Sequence, residues 1–194
     1  MRHTLAVDGF GVRLRPVTVA DAAYIVQLRR QPRVLGTVGD TSPDVQAQEQ
    51  WIARYLDRDG DYYFIVEVAG RPVGTIGVYG VADGSAEWGR WIIEEAVPAA
   101  LPSAILIHDL AFGPLGLREL RGKVVPASRR VISFHRRFGA EDAGIEKNGV
   151  CISGASVDLV CFRMSSQNWP QVRKKLEPAA AVAAVAAAAL TQAL

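Results

Sequence analysis

His135 and Glu87 are the two side chains of this sequence whose types best suit proton transfer. An imidazole has an ordinary pKa near 6.5, so it can give a proton to a departing group at physiological pH. A carboxylate can take a proton from an ammonium, directly or through water. Around His135 stand Arg129, Arg130, Arg136 and Arg137, two pairs seven residues apart. Helical geometry aligns Arg129 with Arg136 and Arg130 with Arg137. Guanidinium groups on such a face could grip phosphate through paired hydrogen bonds. Each residue also has a plainer reading. His135 could be a packed helix histidine, Glu87 a strand-edge carboxylate paired with Arg71, and the arginines a solvated face. Ser133 lies two residues from His135, which points it elsewhere on a helix and leaves no Ser–His pair. Trp88 and Trp91 could wall a substrate pocket or simply pack.

These residues fall within one run of elements, Glu87 to Ala140. EWGRWII (Glu87–Ile93) reads as a strand, LPSAILIHDLAFGPLGL (Leu101–Leu117) as an apolar helix and LRGKVV (Leu120–Val125) as a strand. SRRVISFHRRFGA (Ser128–Ala140) closes the run as a helix. A strand leading into a helix presents unpaired backbone amides and the positive end of the helix dipole, an arrangement that receives nucleotide phosphates. Alternation along Glu87–Ile93 predicts that Glu87, Gly89, Trp91 and Ile93 share one face, with Trp88, Arg90 and Ile92 on the other.

Before this run, Val12–Val17 alternates as a half-buried strand, and Thr18 or Asp21 caps a helix that Pro32 stops. Val34–Pro43 is a loop, and Asp44 caps a second helix through Leu56. Tyr62–Val68 and Pro72–Tyr79 pair across the turn Ala69-Gly70-Arg71, and Asp83-Gly84 turns the chain into Glu87–Ile93. After the run, Val150–Ile152 and Val157–Met164 form a last hairpin. Pro178 marks the start of an alanine-rich stretch, so one domain is expected over residues 1–176. Residues 177–194 are expected to form a surface helix or a frayed tail.

The 194 residues suit one domain, which would bury roughly 70% of the surface that the unfolded chain exposes. Hydrophobic residues at 49% and charged residues at 22% argue against disorder, and a net charge of +2 is too small to imply nucleic acid. Cys151 and Cys161 fit no zinc or redox spacing, so neither a metal nor a disulfide is expected. The N-terminus lacks the apolar run of a signal peptide, and no membrane span is expected. The reading is a cytoplasmic protein, monomer or homodimer, with no nucleic-acid or membrane partner.

The element order, together with RLRPVTVADA (Arg13–Ala22), RPVGTIGVYG (Arg71–Gly80), LAFGPLGLRELRGKVV (Leu110–Val125) and VISFHRRFGA (Val131–Ala140), resembles the GNAT superfamily of acyl-CoA-dependent N-acyltransferases. The likeness covers Val12 to Met164 and leans toward relatives acting on ribosomal-protein N-termini, small amines and amino sugars. It implies an α+β fold whose mixed, mostly antiparallel sheet splits into a V between Glu87–Ile93 and Leu120–Val125. It implies acetyl-CoA in that V, its thioester against a backbone N–H at Ile92, Ile93 or Glu94. The resemblance puts the pyrophosphate on the amides that open the next helix. In this chain those are Ala96, Val97, Ala99, Ala100, Leu101 and Ser103. Arg130 and Arg137 would meet phosphate, and Ser128 stands where many relatives have an asparagine touching the cofactor arm, although its hydroxyl also reads as a helix cap. His135 would protonate the thiolate and Glu87 would accept the proton of the amine. The chain departs from the family in its loop: EEAVPAALPS (Glu94–Ser103) has no glycine, two prolines that lack donors, and two glutamates close to where the anion would lie. That departure leaves a second reading open, a GNAT-like domain that binds or regulates without efficient catalysis.

Overall fold

The computed structural model describes residues 3–38 and 42–192. Positions 39–41, in the expected Val34–Pro43 loop, and the last two residues of the tail lie outside the described part. Eight strands form one sheet: β1 (Val7–Gly9), β2 (Val12–Pro16), β3 (Tyr62–Val68), β4 (Arg71–Ala82), β5 (Ser85–Ile93), β6 (Glu119–Val124), β7 (Glu141–Ile152) and β8 (Ala155–Ser165). Among the described residues five α-helices flank it: α1 (Ala22–Arg29), α2 (Val45–Tyr55), α3 (Ala100–Phe112), α4 (Arg129–Phe138) and α5 (Trp169–Gln192). The spatial order is β1-β2-β3-β4-β5-β6-β8-β7. Among the described strands only the β5–β6 pairing is parallel. This is the expected α+β, mostly antiparallel architecture.

The middle of the sheet is covered on both faces, which is why Tyr62–Val68 reads as a nearly continuous apolar run. One face packs on α3 around Phe64, Ile76, Trp88, Ile105 and Leu120. The other packs on α1 and α2 around Ile25, Ile52, Tyr55 and Tyr63. Helix α2 begins where the Asp44 carboxylate accepts from the Gln46 N–H, the cap expected from sequence.

Three elements differ from the sequence reading. Strand β1 is only three residues long, too short for alternation to reveal, and joins β2 through Phe10-Gly11, both at positive φ. Strand β7 spans twelve residues where only Val150–Ile152 were expected. It is an edge strand with most residues exposed, so its polar sequence hides it. Helix α5 runs through Pro178 to Gln192, so the boundary expected near Leu176 falls inside it. Ala180 and Ala187 are buried, and the backbone of Gly11 lies close to Ala184 and Ala187. Alanine's helix propensity carries the chain past the hydrogen bond that Pro178 removes.

Candidate active site

Strands β5 and β6 pair from Ser85–Glu119 to Trp88–Gly122 and then part. Gly122 sits at the fork because a side chain would not fit there. A Cβ would lie 2.6 Å from His135 Cε1 and 3.2 Å from Trp88 Nε1. Beyond the fork a cleft of about 580 Å³ passes between the strands, lined by Trp88–Ile93, Lys123, the N-terminal turn of α4 and Ala100 of α3. A second pocket, of about 670 Å³, opens on the α1/α2 face and is lined by Trp51, Tyr63, Tyr79, Glu87 and Lys123. Gly89, Arg90, Lys123 and Val125 line both, so the two spaces meet at the fork.

A β-bulge in β5 corrects the predicted alternation. Gly89 pairs with Gly77 and Ile92 with Thr75, so β5 spends three steps where β4 spends two. The extra step is absorbed at Arg90, at φ +51. That left-handed conformation costs on the order of 1 kcal/mol for a residue with a side chain. Thr75 Oγ1 donates to the Arg90 carbonyl at 2.7 Å, and the guanidinium bonds to both Asp61 oxygens at 2.5 and 3.0 Å. It also lies over the rings of Tyr79, Tyr63 and Trp51, at 4.5 to 5.3 Å. The bulge brings Trp91 to the same face as Trp88, with ring centroids 5.3 Å apart, and leaves Glu87 and Arg90 facing the α1/α2 pocket.

Glu87 does not pair with Arg71. Tyr79 donates its hydroxyl to Glu87 Oε1 at 2.8 Å, and Lys123 Nζ lies 3.1 Å from Oε2. Burial, then the charge of Glu87, raises the Tyr79 pKa, so the phenol keeps its proton and remains the donor. Arg71 instead meets Glu94 Oε2 at 2.8 Å, and Tyr24 donates to the other oxygen at 3.3 Å. This pair turns the Glu94 charge toward α1 and offsets it with a cation, which reduces the repulsion expected from that glutamate.

Of the amides Ile92, Ile93 and Glu94, only that of Ile93 lies on the open edge of β5. Glu94 N–H donates to Val73 O of β4 at 2.7 Å, and alternation directs the Ile92 amide toward β4 as well. The Ile93 carbonyl points the other way and accepts from Arg33 at 2.6 Å. In the loop that follows, Val97, Ala99 and Ser103 spend their N–H groups on Glu94 O, Val97 O and Ala99 O. Ser103 is fully buried, and its hydroxyl accepts from the Trp91 indole at 3.1 Å, so it faces the core and not the cleft. Ala96, Ala100 and Leu101 keep amides with no partner among the described residues, and the cap residue of α3, Ala99, has no side chain to satisfy them. Ala96 stands at φ +64, so alanine takes the conformation that a glycine would supply.

On α4, Ser128 sits at the cap position, but its hydroxyl makes no capping bond and lines the cleft instead. Arg130 lines the cleft as well. Arg137 does not: it lies seven residues on, about 10 Å along the helix, with Nε donating to Ser133 O at 3.4 Å. His135 is 3% exposed and stacks on Phe162 with centroids 4.6 Å apart. Its Nδ1 has no hydrogen-bond partner among the described residues. Burial pulls its pKa down to about 4, so the ring is neutral at pH 7. A neutral imidazole has no readily released proton, which counts against the expected general-acid role.

Tyr79, Lys123 and Arg90 escaped the sequence reading. Strand alternation across β4 and β6 carries a signal for the first two, whereas nothing in the local sequence marks the bulge that places Arg90.

Residues 12–141, well over half of the chain, match the acetyltransferase (GNAT) domain model, and the chain belongs to that family. It is a GNAT acetyltransferase, and the family's acyl donor is acetyl-CoA. Solved structures share the fold. A GCN5-related N-acetyltransferase from Brucella melitensis superposes with TM-score 0.78 at 20% identity, over 91% of this chain and 85% of the other. FdhC, a nucleotide-linked sugar GNAT, does so with TM-score 0.74 at 24% identity, over 90% and 98%. A mutant spermidine N-acetyltransferase from Vibrio cholerae gives 0.71 at 16% identity, over 83% and 97%. No curated protein matches the chain. Among the described residues no helix is long and apolar enough to cross a membrane.

Proposed function

We propose that the chain moves an acetyl group from acetyl-CoA to a primary amine by direct attack, with Glu87 receiving the proton of the amine. The acceptor classes in view are a nucleotide-linked amino sugar, a protein N-terminus and a small amine. The single observation that carries the reading is the parting of β5 and β6 at Trp88 and Gly122, with the two pockets meeting there. The residues fit an acyl-CoA. Among the described residues, Ala100 and Leu101 at the start of α3 and Ala96 in the loop before it offer unpaired amides for its pyrophosphate, and Ala100, Ser128 and Arg130 line the cleft. Bound there, acetyl-CoA supplies an activated acyl group, and the Ile93 N–H on the open strand edge is the donor for its carbonyl.

Glu87 suits a base on the acceptor side. Its carboxylate faces the α1/α2 pocket, and Tyr79 and Lys123 fix both oxygens. His135 acts as a neutral wall residue that fills the space beside Gly122 and supports the fork. The test is thiol release from acetyl-CoA across amino sugars, peptides and small amines. Turnover with at least one amine, and its loss in Glu87→Gln with the acetyl-CoA KM kept, is the expected result. Full turnover in Glu87→Gln would remove the base assignment.

A further inference from the structure

A lysine beside the proposed base poses an electrostatic problem at the fork. Lys123 Nζ lies 3.1 Å from Glu87 Oε2, and Glu87 is the only carboxylate lining the α1/α2 pocket among the described residues. A cation set against a lone carboxylate favours its charged form, which makes it a weaker proton acceptor. Lys123, however, has a second partner, Glu146 Oε2 of β7 at 2.9 Å. Strand β8 lies between β6 and β7, so this contact reaches over a whole strand. The hydrogen bond to Glu146 stands first among the causes that hold the Lys123 ammonium above the ordinary lysine pKa; burial opposes it, and Glu87 follows. One cation between two carboxylates leaves the trio negative, so an incoming ammonium is still attracted. Strand β7 is shaped around this contact. Glu146 pairs with Leu159 and Val150 with Val157, so β7 spends four steps where β8 spends two. Asn148 stands at φ +53 within the extra length. Asp158 of β8 closes it, accepting from Asn148 N–H at 3.0 Å and from Lys147 Nζ at 2.7 Å. A Cβ on Gly149 would lie 3.1 Å from Glu146 Oε1 and 2.7 Å from Leu159 Cδ1, so the glycine keeps room for that carboxylate.

Resting on the acetyl-transfer reading, we propose that Glu146 is a positioning residue that shares Lys123 with Glu87 and so leaves the Glu87 charge free to receive the proton of the amine. Lys123 then orients the Glu87 carboxylate without neutralising it. Without Glu146 the ammonium closes on Glu87 alone, and the base weakens. The Glu146 side chain is 42% exposed, so solvent screens the pair and keeps its effect modest.

The test is a double-mutant cycle in thiol release from acetyl-CoA, with glucosamine, glycinamide and spermidine as the amines. Glu146→Gln should lower kcat/KM for the amine about threefold to fivefold, the size of one partly exposed ion pair, with the acetyl-CoA KM kept. In a Lys123→Met background the same substitution should cost nothing, because no cation is left to share. A merely structural Glu146 would lower the rate equally in both backgrounds. That result, or full turnover in Glu146→Gln, would overturn the proposal. Thermal melts of the same four proteins read the ion pair without turnover. Glu146→Gln should lower the melting temperature only where Lys123 is present, and equal losses in both backgrounds would also overturn it. No thiol release with any of the three amines, with the coupling in the melts intact, would count against the acetyl-transfer reading. Turnover without the kinetic coupling would count against Glu146 alone.

Discussion

Glu87 and His135 look alike in sequence as proton carriers, but their surroundings differ, and the proposed reaction gives them different parts. Glu87 faces a pocket with both oxygens held by donors, whereas His135 faces aromatic rings and its Nδ1 finds no partner. General-base catalysis contributes roughly 10²- to 10⁴-fold, so Glu87→Gln should lower kcat by about that factor without unfolding the protein. Steady-state kinetics with thermal melts on the same sample would check this. His135→Phe should keep turnover within a few-fold, because the ring fills space, whereas His135→Ala should cost about 2–4 kcal/mol of stability through the cavity it leaves. A large kcat loss in His135→Phe, with the melting temperature kept, would restore a chemical role. Sequence shows little of these surroundings, because Lys123 of β6 reaches Glu87, and Trp88 of β5 and Phe162 of β8 reach His135, across the sheet; Tyr79 of β4, eight residues from Glu87, is the near exception.

At the scale of elements, the most consequential piece is the junction from β5 through the loop to α3. Its strand and helix were legible from EWGRWII and LPSAILIHDL, as was the absence of glycine from the loop between them. The bulge was not, because the left-handed turn at Arg90 is held by Asp61 and Thr75, side chains 29 and 15 residues away. It placed Trp91 on the opposite face from the one that alternation predicts. The loop solves its missing glycine by setting Ala96 at positive φ. Ala96→Gly should therefore relieve strain of about 1 kcal/mol and raise the melting temperature by roughly 2–4 °C in a chain of this size. A lower melting temperature would show that the strain is relieved in some other way.

Across the whole molecule, the three histidines with described surroundings all lose proton affinity on folding, and the largest cause is burial in each case. His108 is pulled down to about 3 and His135 to about 4, with His3 lowered as well. The unfolded chain, with ordinary values near 6.5, binds more protons in the acidic range, so stability is full above about pH 6.5 and is lost as pH falls toward 4. Melting temperatures from pH 7.5 to 4.5 should fall across that window, and His135→Phe should flatten the slope; a flat wild-type profile would contradict the burial argument. Helix α5 belongs to the same body. Truncation after Leu176 should lower the melting temperature measurably, because it uncovers the surface that Ala180 and Ala187 bury. The four family phrases made the fold legible, whereas the tail's role was hidden because an alanine run shows no periodic face to mark which side is buried. The central claim is that the parted strands and the free amides of α3 hold acetyl-CoA, and a thermal melt with acetyl-CoA tests it most directly. At about one hundred times its dissociation constant the ligand should stabilise the protein by about 2.7 kcal/mol. No shift with acetyl- or propionyl-CoA at millimolar concentration would contradict it.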